Sequence, residues 1–326
     1  MRIQWGRVVA LAVFTGLAIL LCRGCVAARC GGGESVAGED AVRVVVYDHR
    51  EQARAAMELE EYLVGVVAAE MPASFPLEAL KAQAVAARSY TLYHALHDGC
   101  RSGGADVCTD SSCCQAFCSD ARMREKWGSD YKENREKVER AVFETAAEVL
   151  LYEGAPIEAL YHSASGGSTE NVEDVYSASL PYLRAVMSTA EAGTARIVGT
   201  KRLTREAFAE LINESLPEAE LDGRMLERQV EVEKAAASGR VQRIRLGGAR
   251  ITGRQMRALL SLDSTLFTIS YSGDEVVIST KGYGHGVGMS QTGANAMALG
   301  GRSYREILAY YYTGVEFGQV SRDAEG

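Results

Sequence analysis

The chain is poor in proline and has no cysteine beyond Cys118. Only 5 prolines among 326 residues, together with 47% hydrophobic residues, exclude a proline-rich linker and a disordered tail. The sequence also lacks a basic stripe, and its formal net charge is −8. Because affinity for duplex nucleic acid comes mainly from neutralising phosphates, we expect no nucleic-acid partner.

An unambiguous membrane-spanning run is also missing. Arg2 and Arg7 precede an apolar run over 8–21, which is shorter than the roughly 20 residues that a spanning helix needs. A basic start followed by an apolar stretch is typical of an export signal. Counted to residue 28, the segment predicts a single-pass anchor over 1–28 and a polar linker over 29–41, with cleavage after the small residues 26–28 left open. The remaining chain is then expected on the extracytoplasmic side of the cytoplasmic membrane.

The cysteines fall into two groups, one in and just after the anchor and one within 99–119. The second group consists of Cys100, Cys108, Cys113, Cys114 and Cys118. Four thiolates crowded in one loop suit a tetrahedral zinc ion, and a closed site of that kind is structural rather than catalytic. An extracytoplasmic location favours disulfides instead, although an odd number leaves one thiol over. The sequence alone leaves zinc and disulfides as alternatives.

Periodicity predicts an α+β fold in two subdomains that flank a groove. Apolar spacing predicts helices over 57–69 and 77–96, and β-branched residues predict a strand over 42–47. A charged helix is expected over 122–142 and a strand over 157–162. The expected organisation is a catalytic core in two parts (42–189, with the cysteine loop 99–119, and 276–317), an inserted subdomain over 190–275 and a tail over 318–326.

Glu70 is the candidate catalytic acid. It ends a predicted helix just before Met71 and Pro72, and the partial negative charge at a helix C-terminus disfavours a second negative group. Its pKa should therefore be high, as a general acid requires. Lys81 and Arg88 lie seven residues apart on the next helix and could hold a substrate carboxylate. The plainer alternative is a capping glutamate and two solvated cations.

Two glycine-rich segments, 161–167 and 282–291, are interpreted as walls of a polar groove. Glycine lets a backbone approach a ligand closely. The second segment lacks the G-K-[ST] ending of a phosphate loop, so a nucleotide is not expected. His162 and Ser163 are adjacent on a predicted strand and point to opposite faces, so they make a poor base and nucleophile pair.

Several long motifs together resemble the stage II sporulation protein D family. They are EYLVGVVAAEMPASFPLEALKAQAVAARSYTLYHAL at 61–96, CTDSSCCQAF at 108–117, YHSASGGSTENVEDVY at 161–176, LPYLRAV at 180–186, TGRQMRALLSLDSTLFTI at 252–269 and GYGHGVGMSQTGANAMA at 282–298. The resemblance extends from about residue 42 to 317, and the anchor fits it.

The resemblance implies a peptidoglycan lytic transglycosylase of sporulation engulfment, which cleaves glycan strands after N-acetylmuramic acid and leaves 1,6-anhydro ends. The family is understood to prefer strands already stripped of peptides by a partner amidase and to work with a membrane engulfment complex. Its catalytic glutamate corresponds to Glu70. Its substrate-groove residues correspond to Lys81, Arg88, Tyr161, His162, Ser163 and His285. A transglycosylase needs one acid/base residue, whereas a hydrolase that uses water normally needs two carboxylates.

Related loops carry histidine and cysteine zinc ligands, including an adjacent His-Cys pair, and this chain departs from that pattern. Cys113 and Cys114 take the place of the pair, and Cys100 replaces an upstream histidine. The expected ligands of a structural zinc ion are therefore Cys100, Cys108, Cys113 and Cys114, with Cys118 or His97 as substitutes. Two rival functions are a non-enzymatic activator of a cell-wall amidase and a zinc amidase that uses the cysteine loop.

Overall fold

The computed structural model describes residues 42–97, 99–100, 104–176, 178–191 and 198–320. The predicted anchor over 1–28, its linker and the end of the tail lie outside these residues. None of the described helices is both long and apolar enough to cross a membrane.

Helices and small sheets alternate along the chain. The strands are β1 (Arg43–Asp48), β2 (Ala53–Glu58), β3 (Val107–Cys108), β4 (Glu148–Tyr152), β5 (Ala155–Pro156), β6 (Tyr161–His162), β7 (Val198–Thr204), β8 (Val230–Ala235), β9 (Val241–Leu246), β10 (Ala249–Thr252), β11 (Phe267–Ser272), β12 (Glu275–Lys281), β13 (Met289–Ser290) and β14 (Glu316–Gln319). The helices are α1 (Leu59–Glu70), α2 (Leu77–Leu96), α3 (Asp120–Trp127), α4 (Tyr131–Phe143), α5 (Val172–Val175), α6 (Arg205–Ser215), α7 (Leu226–Gln229), α8 (Gly253–Leu259), α9 (Gln291–Leu299) and α10 (Tyr304–Tyr311).

The strands form separate small sheets, in the orders β2-β1-β3, β10-β9-β8, β11-β12-β7, β13-β6 and β14-β4-β5. Most neighbours are antiparallel, and β6 and β13 form a short parallel pair that joins the two glycine-rich segments. The predicted α+β class is confirmed.

Helix α2 is the centre of the first hydrophobic core. It packs against α1, α4, α9, α10 and β4, and its residues are buried on nearly all sides over 79–92. A helix that is buried all round needs small or apolar residues in every direction, and the alanines of α2 meet that need. The core extends from Val44 to Tyr312 along the chain.

A second core lies within the inserted segment, from Phe208 to Ile278. It includes Val276 and Ile278 of β12, which pairs with β7 and β11. The strand β12, which runs to Lys281, therefore packs with the second core, beyond the expected boundary after residue 275. Near the C-terminal end of the described chain, β14 pairs with β4 and reaches Gln319, inside the segment expected to be a tail.

Three local predictions differ from the structure for identifiable reasons. Helix α1 begins at Leu59 rather than at residue 57, because the preceding residues pair with β1 in a hairpin. The charged helix over 122–142 is interrupted at Gly128, whose φ of +52° ends α3. The strand over 157–162 is regular only at β6, since the N–H groups of Ala159 and Leu160 bond to carbonyls two residues back.

Candidate functional site

Glu70 is the last residue of α1, and its half-buried carboxylate has two uncharged donors. The backbone N–H of Ala116 donates to Oε1 over 2.8 Å, and Nε2 of Gln291 donates to Oε2 over 3.4 Å. Burial raises the pKa of Glu70 above its ordinary value of 4.5, and the two hydrogen bonds partly oppose that rise. The carboxyl group is thus biased toward the protonated form, as expected from its position in the sequence.

The segment from Cys113 to Cys118 runs alongside α1 and is held there by Gly65. The Phe117 ring lies where a Cβ on Gly65 would stand, 2.1 Å from its Cε2, and the N–H of Cys118 donates to the carbonyl of Gly65. Glycine is therefore required at this point in the middle of a helix, despite its cost to helix stability. This close approach brings the N–H of Ala116 to Glu70.

Tyr161 is tied to the same segment. Its hydroxyl donates to Oε1 of Gln115 over 2.8 Å, and Nε2 of Gln115 donates to Oγ1 of Thr91 over 3.0 Å. Burial, with the nearby charge of Glu70 as the next cause, raises the pKa of Tyr161 well above its ordinary value. Tyr161 therefore keeps its proton and remains a donor beside Glu70.

His162 and His285 lie with their rings 5.5 Å apart. Nε2 of His285 is 2.9 Å from the carbonyl of Tyr161, and Nδ1 accepts from the N–H of Val287. His285 is thus the Nε2–H tautomer. Nδ1 of His162 donates to the carbonyl of Val287, while its buried Nε2 has no partner within the described structure. Burial lowers the pKa of His285 to about 4 and that of His162 well below its usual range, so both rings are neutral near pH 7.

The carboxylate of Glu191 joins the two glycine-rich segments. It is almost fully buried and accepts from the N–H and the hydroxyl of Ser165 and from the hydroxyls of Ser290 and Thr292. The backbone carbonyl of Ser163 accepts from the N–H of Thr292 over 2.9 Å. The two glycine-rich segments therefore meet in the structure, with Glu191 at their junction.

Arg88 does not face a groove. Its side chain is fully buried, with Nε 3.0 Å from Oε1 of Glu60 and Nη2 2.5 Å from Oε2. It also donates to the carbonyls of Val142 and Glu148. The structure therefore does not place Arg88 at a groove surface, because α2 is buried on nearly all sides around this residue.

Lys81 also has partners within the protein. Its Nζ lies 2.7 Å from Oε2 of Glu144 and 3.2 Å from Oε1 of Glu78. These contacts raise the pKa of Lys81 against the opposing effect of burial, which is the largest single influence. The cation is therefore neutralised locally, and Lys81 is not positioned by these contacts toward Glu70.

The sulfurs of Cys100, Cys108, Cys113 and Cys114 all lie within 4.8 Å of one another. Cys100 and Cys113 have their sulfurs 3.4 Å apart, and those of Cys113 and Cys114 are 3.9 Å apart. These separations exceed the roughly 2 Å of a disulfide and suit four sulfurs about 2.3 Å from a common ion. The four residues expected as ligands thus converge, and the donor set fits a tetrahedral zinc ion.

Neither expected substitute belongs to this cluster. Cys118 is buried in the first hydrophobic core. Nδ1 of His97 donates to the carbonyl of Tyr93. The imidazole of His97 also stacks on the Tyr93 ring, with the two ring centres 4.2 Å apart. The adjacent pair Cys113 and Cys114 contributes two sulfurs to one cluster because the N–H groups of both residues bond back to the carbonyl of Asp110 in a tight turn.

Two adjoining clefts separate the subdomains. The cysteine-side cleft, of 740 Å³, is lined by Cys113, Cys114, Tyr90 and His94 of the core. The Arg240-side cleft, of 640 Å³, is lined by Arg240, Gln242 and Glu170 among others. Tyr176 of the core and Arg254 of the inserted subdomain line both. A third cleft, of 620 Å³, has Ala69 and Ala116 in its wall, next to Glu70.

Sequence reasoning missed several of the residues that build the site. Gln291 and Gln115 lie inside motifs that the sequence displays, but an amide gives no sign of which carboxylate or hydroxyl it will contact. Ala116 contributes only its backbone N–H, which no residue type can reveal. Glu191 is a single acid in an unpatterned segment, and only the fold brings it to Ser165 and Ser290.

Known proteins match most of the chain. Residues 47–152 match the family model described as Stage II sporulation protein. Stage II sporulation protein D of Bacillus amyloliquefaciens is 35% identical over 290 residues, which cover 89% of this chain and 82% of that protein. The protein of the same name in Bacillus subtilis (strain 168) is 34% identical over 280 residues, 86% of this chain and 80% of that protein.

A further relative, named Amidase enhancer, also comes from Bacillus subtilis (strain 168). It is 30% identical over 299 residues, which cover 77% of this chain and 39% of that protein. The family match, and identity above 30% over most of both chains for the first two relatives, show that this chain belongs to the stage II sporulation protein D family.

Proposed function

We propose that the protein is a lytic transglycosylase that cleaves peptidoglycan glycan strands at N-acetylmuramic acid, with Glu70 as general acid and base. One observation carries the proposal. Glu70 is a half-buried carboxyl whose pKa is raised by burial and whose two hydrogen-bond donors are uncharged. A general acid that works near neutral pH needs a raised pKa of this origin.

The chemistry proceeds by two proton transfers at one residue. The protonated Glu70 gives its proton to the glycosidic oxygen, and the bond from that oxygen to C1 breaks. The resulting carboxylate takes the proton of the sugar's own 6-hydroxyl, whose oxygen bonds to C1 and closes the 1,6-anhydro ring. The attack is intramolecular and has the advantage of proximity. The backbone N–H of Ala116 and the side-chain Nε2–H of Gln291 stabilise the carboxylate between the two transfers.

The four-cysteine cluster is proposed to hold a structural zinc ion. Four sulfurs complete a tetrahedral site and leave no position for water, so the ion would supply cross-linking rather than Lewis-acid chemistry. The segment that follows Cys114 connects the cluster to the candidate site. Gln115 and Ala116 lie directly after it and contact Tyr161 and Glu70. The closed sulfur set also disfavours a zinc amidase.

The biological setting is proposed from the family. The relatives named stage II sporulation protein D favour a role in sporulation, and the relative named Amidase enhancer favours a cell-wall setting. We place the protein at the cytoplasmic membrane, held by the predicted anchor, with its folded part outside. There it would act in engulfment on strands stripped of peptides by a partner amidase, together with a membrane complex.

The alternative function is a non-enzymatic activator of that amidase, and the name of the relative Amidase enhancer is the observation that favours it. Glu70→Gln distinguishes the two. The full-length protein and this variant are incubated with peptide-stripped strands, and released fragments are counted. In parallel, both are added to the amidase with intact peptidoglycan. A transglycosylase requires that the variant stays folded and loses strand cleavage. An activator requires that neither protein cleaves strands and that both stimulate the amidase equally.

A further inference from the structure

The cation that a muramic acid carboxylate needs is absent from the positions that sequence spacing favoured. Arg88 is buried against Glu60, and Lys81 lies between two glutamates. A strand stripped of peptide still bears one lactyl carboxylate on each muramic acid. A cation that binds this carboxylate is therefore expected among the residues that line the clefts between the subdomains.

Arg254 meets that requirement. It is exposed and lies in the walls of both the cysteine-side and the Arg240-side clefts. Its guanidinium carbon lies 4.8 Å from the centre of the Tyr176 ring, and Nη1 donates to the carbonyl of Val175 over 3.0 Å. Nε and Nη2 have no hydrogen-bond partner within the described structure, and no carboxylate there forms an ion pair with Arg254. The guanidinium is thus held in place by stacking and one bond, with donors to spare.

The carboxylates that line the two clefts each have a contact of their own. Glu158 faces His94, Glu170 faces Arg240, Glu173 pairs with Arg184, and Asp174 accepts from Asn171 and Gln242. Arg257 and Arg240 add positive charge from the same subdomain as Arg254, and all three act on His285. Among the described residues that line the two clefts, Arg254 is therefore a cation without a carboxylate partner.

We propose that Arg254, stacked on Tyr176, forms the subsite that binds the lactyl carboxylate of the glycan strand. A planar guanidinium with two adjacent free donors matches a carboxylate in a bidentate pair. Tyr176 fixes the guanidinium plane and adds an aromatic surface to the wall where both clefts meet. The proposal rests on the proposed function for its substrate class, and it adds a residue from the inserted subdomain to substrate recognition.

The test compares two ligands that differ only in charge. One is peptide-stripped glycan, and the other is the same glycan after its lactyl carboxyls are converted to methylamides. Equilibrium dissociation constants are measured with full-length protein carrying Glu70→Gln, so that cleavage does not interfere. Arg254→Gln, Arg254→Lys and Arg250→Gln are added singly to this background. Arg250 is the matched control, because it is an exposed arginine of the same subdomain that pairs with Glu233.

We expect Arg254→Gln to weaken binding of the acidic strand by about tenfold or more, since hydrogen bonds to charged groups have this magnitude. Binding of the amidated strand should not change. Arg254→Lys should retain part of the affinity, and Arg250→Gln all of it. Equal weakening for both ligands, no weakening for either, or equal binding of the two ligands by the parent would overturn the proposal. Failure of the proposed function would show separately, as the absence of anhydro ends from the wild-type protein.

Discussion

The backbone N–H of Ala116 lies 2.8 Å from Oε1 of Glu70, two residues after Cys114 of the four-sulfur cluster. A backbone donor cannot be moved by a rotamer change, so its position depends on the path of the segment that carries it. That path is fixed at one end by the cluster and at the other by the contact of Phe117 with Gly65. The cysteine cluster and the candidate acid are thus one structural unit.

Loss of one sulfur from the cluster should therefore reduce both metal content and strand cleavage. Cys113→Ser is the mildest test because Cys113 is exposed. We expect bound zinc to fall from about one ion per chain to near zero, because structural sites need all four ligands. The melting temperature and the turnover should fall with it. Zinc is measured by mass spectrometry of the purified protein.

Cys118→Ala is the matched control, since Cys118 lies outside the cluster. It should keep its zinc. Full turnover of Cys113→Ser after loss of its metal would contradict the link between the cluster and Glu70.

Arg88→Gln should destabilise the fold without a specific effect on substrate binding. Removing one partner of a buried ion pair costs about 3–5 kcal/mol, because the other charge is left uncompensated. Lys81→Gln, which breaks partly exposed pairs with Glu78 and Glu144, should cost at most about 1 kcal/mol. Urea unfolding measures both values. A raised KM for Arg88→Gln at unchanged unfolding free energy would return this residue to the substrate groove.

The pH dependence of stability should reveal the raised pKa of Glu70. Above its ordinary value of 4.5 the carboxyl ionises in the unfolded chain but stays protonated in the folded protein. The unfolded state then binds fewer protons, so this group lowers stability as the pH rises, until the folded-state pKa is passed. Glu70→Gln removes that loss.

The free energy of unfolding is therefore measured against pH for the wild type and for Glu70→Gln. We expect the variant to gain stability relative to the wild type as the pH rises above about 4.5, and then to hold a constant lead. Glu61→Gln, an exposed carboxyl on the first turn of the same helix, is the control for the loss of one negative charge. A difference that does not vary with pH, or that falls, would contradict the raised pKa.

Gly288 should tolerate no side chain, whereas Gly301 should tolerate one at modest cost. Both have positive φ, at +71° and +85°, but a Cβ on Gly288 would lie 1.9 Å from the carbonyl oxygen of Leu160, and one on Gly301 would meet nothing within 4 Å. Gly301→Ala carries only the strain of a left-handed conformation, about 1–2 kcal/mol. Gly288→Ala must also break the pairing of β6 with β13.

We expect Gly288→Ala to lose strand cleavage as well as stability, because β6 contributes Tyr161 and His162 to the site. Thermal unfolding and turnover of the two alanine variants check this. Equal losses of stability and turnover in the two variants would contradict the prediction, because they would mean that the close contact with Leu160 adds no cost.

Much of the fold could be predicted because its helices carry their own signals. Helix α2 has the predicted limits. Pro76 precedes its first residue and cannot itself extend a helix backwards, and the alanines and leucines of α2 continue to Leu96. The hairpin of β1 and β2 was missed because β2 is mostly exposed and reads Ala-Arg-Ala-Ala-Met-Glu, a helix-favouring composition. Its strand form is imposed by pairing with β1, a tertiary effect that local propensity does not include.

The parts of the site that depend on the chemistry of a single residue type could be predicted. The parts that depend on which residues come into contact on folding could not. Glu70 could be singled out as a candidate acid from its residue type and position, whereas the choice of four ligands among the five clustered cysteines came from the family resemblance. The burial of Arg88 against Glu60 could not be predicted, because a cation on a helix looks the same in sequence whether it faces a groove or a buried glutamate. The roles of Ala116 and Glu191 depend on chain segments that meet only after folding.

The most direct test of the account is the chemical nature of the cleaved ends. Full-length wild type and Glu70→Gln are incubated with peptide-stripped glycan strands, and the products are analysed by mass spectrometry. The account predicts 1,6-anhydro-muramic ends from the wild type and none from the variant. Reducing ends from the wild type would contradict it, because they would mean that water rather than the sugar's own hydroxyl attacks C1.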